Sequence, residues 1–182
     1  MALHGPPPLW AREPGFATLV LLVLEQQVSL ASARAAFDRL VETTGTATPE
    51  AVLALDDATL RAIGFSRQKA GYTRNLAQAV LDRSLDLEAL SALPDDGVRA
   101  VLTGLRGIGP WTADVYLTMA LLRPDAFPHG DLALLASAQR VKRLDARPSP
   151  LELEQIAEAW RPHRATAARI LWHAYLSERA KP

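Results

Sequence analysis

Cysteine is absent from this chain of 182 residues. That excludes disulfides, a thiol nucleophile and an iron–sulfur cluster held by thiolates. Histidine is scarce: His4, His129, His163 and His173 lie too far apart for a local zinc motif, so no metal centre and no cofactor are expected. The longest apolar run, Phe16 to Leu24, is too short to span a bilayer. The first fifteen residues carry prolines where a secretory signal would carry a basic flank and an apolar core. An intracellular protein, cytoplasmic and without a membrane partner, is the expectation. Excess charge of either sign is missing too, since 20 basic and 20 acidic residues cancel. Neutrality weighs against a nucleic-acid partner, because DNA affinity rests heavily on phosphate neutralisation.

Charge distribution offsets part of that objection. Residues 61–106 hold Arg61, Arg67, Lys69, Arg74, Arg83, Arg99 and Arg106 against Asp82, Asp86, Glu88, Asp95 and Asp96, and residues 139–143 (QRVKR) form a compact cationic cluster. All basic residues but Lys69, Lys142 and Lys181 are arginine, as phosphate contacts or simply a GC-rich genome would give.

No convincing alternation of apolar and polar residues exists, and no repeat or low-complexity tract. The pattern after Phe16 is helical almost throughout. Thr48-Pro49-Glu50, Asp57, Ser66 and the capping box Ser149-Pro150-Leu151-Glu152 read as helix starts. Residues 86–93 read as a short helix and Pro94-Asp95-Asp96-Gly97 as a turn. Roughly ten helices follow from these signals, and the fold class is all-α.

The most informative stretch is 102–131, LTGLRGIGPWTADVYLTMALLRPDAFPHGD. Gly107 and Gly109 bracket one apolar residue, so the chain can turn sharply and approach another molecule closely. The amides that open the helix from Pro110 onward suit a phosphate. The loop that follows ends in a single carboxylate, Asp131. Taken alone, Asp131 before Leu-Ala-Leu-Leu reads as an N-cap.

Three segments in this order, LEQQVS (24–29), LRGIGPWTAD (105–114) and AFPHGDLAL (126–134), carry a likeness, with weaker support from GFSRQKAGYTRNLA (64–77) and WRPHRATAARILW (160–172). In them the chain resembles the helix-hairpin-helix DNA glycosylases, specifically the 3-methyladenine DNA glycosylase II family, in a compact form without the N-terminal β-rich domain. The resemblance implies two helical lobes with the active site in the cleft between them. One would span 16–119, and the other 1–15 with 120–182. It further implies base flipping on double-stranded DNA carrying alkylated bases, by a monomer associated with the nucleoid.

The resemblance also assigns residues. Asp131 becomes the essential carboxylate, stabilising the positive charge that develops on the sugar as the glycosidic bond breaks. Trp111 stands where bifunctional relatives place a lysine nucleophile. An indole has no amine, so base removal would use water and leave an abasic site. With Tyr72 and Trp10, Trp111 would line a base pocket and attract a cationic alkylated purine. Gln27 would fill the gap left by the flipped nucleotide. Gly107, Gly109 and the amides of Trp111 and Thr112 would hold a phosphate, with Lys69 and Arg164 as further phosphate contacts. The main-chain carbonyls of Thr103, Leu105 and Ile108 would hold a structural sodium or potassium ion. Two other readings compete: a glycosylase with lyase activity, against which Trp111 counts, and a non-catalytic DNA-binding module, which has no need of Asp131.

Overall fold

The computed structural model describes residues 5–179. These are helical without any strand among the described residues, and they fall into two compact units, 12–116 and 5–11 with 117–179.

The first unit is built on α1 (Phe16–Glu25). Leu19, Val20, Leu22, Val23 and Leu24 are almost wholly removed from solvent. A helix that is apolar all round needs neighbours on every side. α2 (Leu30–Thr44), α3 (Pro49–Leu53), α4 (Asp57–Ala62) and α5 (Arg67–Leu81) follow, with α2 and α5 packed on α1 and α3 on α5. Side-chain caps set these starts: Ser29, Thr48, Asp56 and Ser66 each accept from a backbone amide in the first turn.

Residues 86–93 form only a 3-10 turn at Ala89–Ala92 rather than the short α-helix expected. Nor is Pro94–Gly97 a free-standing turn. Pro94 is the N-cap of α6 (Asp95–Thr103), and Asp95 and Asp96 lie in its first turn, where the helix dipole favours acids. Proline and paired acids mark a turn and a helix start alike, and here the apolar positions Val98 and Leu102, both buried, decide for the helix.

α7 (Pro110–Met119) completes this unit up to Tyr116. Tyr116 is fully buried, and its hydroxyl accepts from Gly15 N–H at 3.0 Å, which ties the start of α1 to α7. Burial pushes the Tyr116 phenol up, and the Gly15 amide partly offsets it. A second tie joins α6 to α7: Arg99 Nε donates to Asp114 at 2.7 Å and Arg99 Nη1 to Asp96 at 2.8 Å.

In the second unit α8 (Leu132–Val141) packs on α10 (Arg164–Arg179), with α9 (Pro150–Ala157) and a 3-10 turn at Glu158–Trp160 between them in sequence. The Ser149 capping box of α9 is formed in full. Ala165, Ala168, Leu171 and Trp172 supply the apolar face of α10, and Phe127 meets Trp160 edge-on with centroids 5.8 Å apart. Arg169 on that face is 8% exposed; it donates to Leu9 C=O at 2.9 Å and Thr118 C=O at 2.6 Å, holding the N-terminal arm. No helix among the described residues is long and apolar enough to cross a membrane.

The α6–α7 tie is testable. Asp114 is only 5% exposed in its side chain, so Arg99→Ala takes a charged hydrogen-bonding partner from a buried carboxylate. The expected loss is about 2–4 kcal/mol in urea unfolding. A loss below about 0.5 kcal/mol would show that the pair is dispensable.

Candidate active site

The hairpin between α6 and α7 is held from three directions. Gly107 has φ 99°, and a Cβ there would lie 2.1 Å from Tyr72 Cγ. Backbone and ring thus touch in a way only glycine permits. Tyr72, on α5, is itself anchored by Gln68 Nε2, which donates to its hydroxyl at 2.5 Å. From α1, Gln26 Nε2 donates to Gly107 C=O at 2.9 Å and to Thr112 Oγ1 at 3.1 Å. Ile108 is buried beneath the turn, and Arg106 is exposed beside it.

Gly109 differs from Gly107. A Cβ there would meet nothing within 4 Å, so no packing inside the fold demands glycine at that position. The ladder of α7 begins with Ala113 N–H to Gly109 C=O at 3.1 Å. The amides of Trp111 and Thr112 therefore open the helix, where an anion is favoured. Of the three carbonyls expected around a cation, that of Leu105 accepts from Ile108 N–H at 3.1 Å, which uses one of its two lone pairs. Among the described residues no group of three or more His, Asp or Glu side chains could hold a metal ion.

The end of α1 carries Gln27. It is exposed and sits in the left-handed region at φ 58°, an uncommon conformation for a residue with a Cβ. Its surroundings are tied down. Arg12 grips Glu25 through two hydrogen bonds of 3.0 and 2.9 Å, and Lys69 Nζ donates to Leu24 C=O at 2.6 Å.

In the other unit, Asp131 is the N-cap of α8. Its Oδ1 accepts from Ala133 N–H at 2.9 Å and Leu134 N–H at 3.0 Å, and the side chain is largely buried. The loop leading to it is shaped by backbone bonds, His129 N–H to Phe127 C=O and Asp131 N–H to Pro128 C=O, both 2.9 Å. The carboxylate is therefore fixed in direction at the positive end of a helix.

Other expected positions have contacts within the fold. Tyr72 packs its ring on Gly107 and supports the hairpin. Arg164 is engaged in ion pairs. It donates to both oxygens of Asp125, at 2.9 Å each, and to Glu158 at 3.2 Å, with only 11% of its side chain exposed. Burial would push the Asp125 carboxyl up, but Arg164 and Arg161 outweigh it and hold the group below its ordinary value. Lys69 is half-buried on the end of α1, and burial pushes its ammonium down. Its observed duty is to cap Leu24. Trp10 is half-buried with its ring 6.2 Å from that of His173. Gln26 was the residue to miss: nothing local in Leu-Glu-Gln-Gln-Val signals a contact 81 positions away.

Residues 20–162 match the family described as HhH-GPD superfamily base excision DNA repair protein. The chain belongs to that family. Among solved HhH-GPD structures, 3-methyladenine DNA glycosylase Mag1 of Schizosaccharomyces pombe, in complex with abasic DNA, superposes with TM-score 0.86 at 25% identity, covering 97% of this chain and 86% of that one. DNA-3-methyladenine glycosidase from Bacillus halodurans gives TM-score 0.79 at 30% identity, over 94% and 81%. In sequence, YfjP of Bacillus subtilis, provisionally named a DNA-3-methyladenine glycosylase, is 28% identical over 179 residues, 94% of this chain and 62% of its own length. This HhH-GPD chain thus spans less than two thirds of that relative.

The two glycines differ in what the fold asks of them. Gly107→Ala collides with Tyr72 and adopts an unfavourable φ, so it should destabilise the protein by about 2–4 kcal/mol. Gly109→Ala should leave stability within about 1 kcal/mol yet weaken duplex DNA binding several-fold in a titration at fixed salt. Unchanged DNA affinity for Gly109→Ala would remove the hairpin from the DNA interface.

Proposed function

We propose that this protein is a monofunctional DNA glycosylase of the 3-methyladenine DNA glycosylase II type, which removes alkylated bases from double-stranded DNA and initiates base excision repair. The observation that carries the reading is Asp131, a largely buried carboxylate held by two amides at the head of α8. It follows the glycine hairpin in the sequence order of the family.

The chemistry follows from the bond to be broken. As the base departs, the electron pair of the glycosidic bond goes to the base nitrogen and positive charge grows on the sugar. The Asp131 carboxylate stabilises that charge, and water supplies the oxygen that ends on the sugar, giving up one proton to the carboxylate. A base that is already cationic through alkylation leaves as a neutral molecule, which lowers the barrier. Trp111, half-buried at the start of α7, and Trp10 are aromatic side chains of a kind that attracts a cationic base. Neither provides an amine, so no covalent sugar adduct forms.

Grip and insertion come from the other residues. The open backbone at Gly109, the amides of Trp111 and Thr112 and the exposed Arg106 receive a phosphate. The carbonyls of Thr103, Leu105 and Ile108 are hard oxygen donors suited to a sodium or potassium ion at the same turn. Gln27 enters the duplex in place of the extruded nucleotide. A monomer acting in the cytoplasm on the nucleoid fits these parts.

The test is release of modified bases from a duplex panel containing 3-methyladenine and 7-methylguanine. Expected products are the intact modified base and an alkali-labile abasic strand, with no adduct trapped by borohydride. No release of any alkylated base would overturn the reading, and a trapped adduct would overturn the monofunctional chemistry. Trp111→Ala should lower kcat/KM on cationic lesions by roughly 2- to 30-fold, the span of a cation–π contact of about 0.5–2 kcal/mol, and less on a neutral lesion. Equal losses on both would remove the cation–π role.

A further inference from the structure

We infer that Gln26 is a positioning residue which locks the insertion turn of α1 to the phosphate-binding hairpin. The inference rests on the proposed role of Gln27 and goes one residue further. One carboxamide nitrogen supplies both bonds: Gln26 Nε2 donates to Gly107 C=O at 2.9 Å and to Thr112 Oγ1 at 3.1 Å. Thr112 is 1% exposed, and Gln26 is itself half-buried. A primary amide has two N–H groups, so the nitrogen is matched by two acceptors, one on each side of Gly109.

Position gives these bonds their consequence. Gln26 is the C-cap of α1, with its backbone N–H bonded to Val23 C=O. Gln27 is the next residue, exposed and left-handed. The end of α1 is fixed against translation by Lys69 on Leu24 and Arg12 on Glu25. Those contacts hold the helix; Gln26 joins the turn to the hairpin. Inserting a side chain into a duplex needs that side chain placed at a set distance from the phosphate grip, since a misplacement near 1 Å costs on the order of 100-fold in rate. Gln26 supplies the rigid link between the two. The hairpin keeps its own shape through the Tyr72–Gly107 contact, so loss of Gln26 should disturb placement rather than the hairpin.

A double-mutant cycle with Gln27 tests this. Wild type, Gln26→Ala, Gln27→Ala and the double variant are titrated with a duplex bearing one abasic-site analogue and with the undamaged duplex. Thermal unfolding is recorded for each. Gln26→Ala should lower the preference for the abasic duplex by about tenfold, as losing a hydrogen-bonded link of ordinary strength would. Its affinity for undamaged duplex should stay within about twofold of wild type. Because both residues act in one step, the double variant should fall no further than the worse single variant.

Losses that multiply in the double variant overturn the inference, and so does an equal loss on both duplexes. Gln26→Glu, similar in size but without the donor, should reproduce the Gln26→Ala loss and stands in for it if the alanine variant does not fold. Wild-type preference retained in Gln26→Glu would also overturn it. If wild type itself shows no preference for the abasic duplex, the glycosylase reading fails instead, so the two failures are distinguishable.

Discussion

The contact between Gly107 and the ring of Tyr72 is the constraint on which the hairpin between α6 and α7 depends. A Cβ would sit 2.1 Å from Tyr72 Cγ, a separation that packed atoms cannot adopt. The hairpin therefore rests on α5 as a fixed surface and turns with its backbone exposed on the other side. From that seat follow the open space at Gly109, the opening of α7 at Trp111 and Thr112, and the reach of Gln26 from α1. The Arg99–Asp114 pair then holds the two helices that flank the turn.

A second theme is the ordinary helix-terminus chemistry on which the proposed function draws. Asp131 does what any good N-cap does, accepting amides that the helix would leave unpaired. The same bonds deprive its carboxylate of rotational freedom and set it at a positive pole. Preorganised charge of this kind stabilises a developing cation without reorganising as the reaction proceeds. The start of α7 has the same polarity and offers it to an anion instead.

The sequence made the local features legible. The caps at Ser66 and Ser149, the glycine pair and the N-cap geometry of Asp131 all follow from residues within four positions of each other, and each is present. Features that depend on partners far along the chain were hidden. The packing of Tyr72 on Gly107 joins residues 35 positions apart. Nothing near Arg164 in sequence announces its partner Asp125, 39 positions earlier. Pro94–Gly97 illustrates a different limit, since the same residues serve turns and helix starts until the buried face of α6 settles the matter.

The central claim is that Asp131 acts as both helix cap and charge stabiliser, and Asp131→Asn separates the two. Asparagine caps a helix about as well as aspartate, so thermal and urea unfolding should match wild type to within about 0.5 kcal/mol. Single-turnover release of 3-methyladenine should nonetheless fall by roughly 100- to 1,000-fold, the scale of losing one preorganised charge contact. A stable Asp131→Asn protein that excises at the wild-type rate would contradict it.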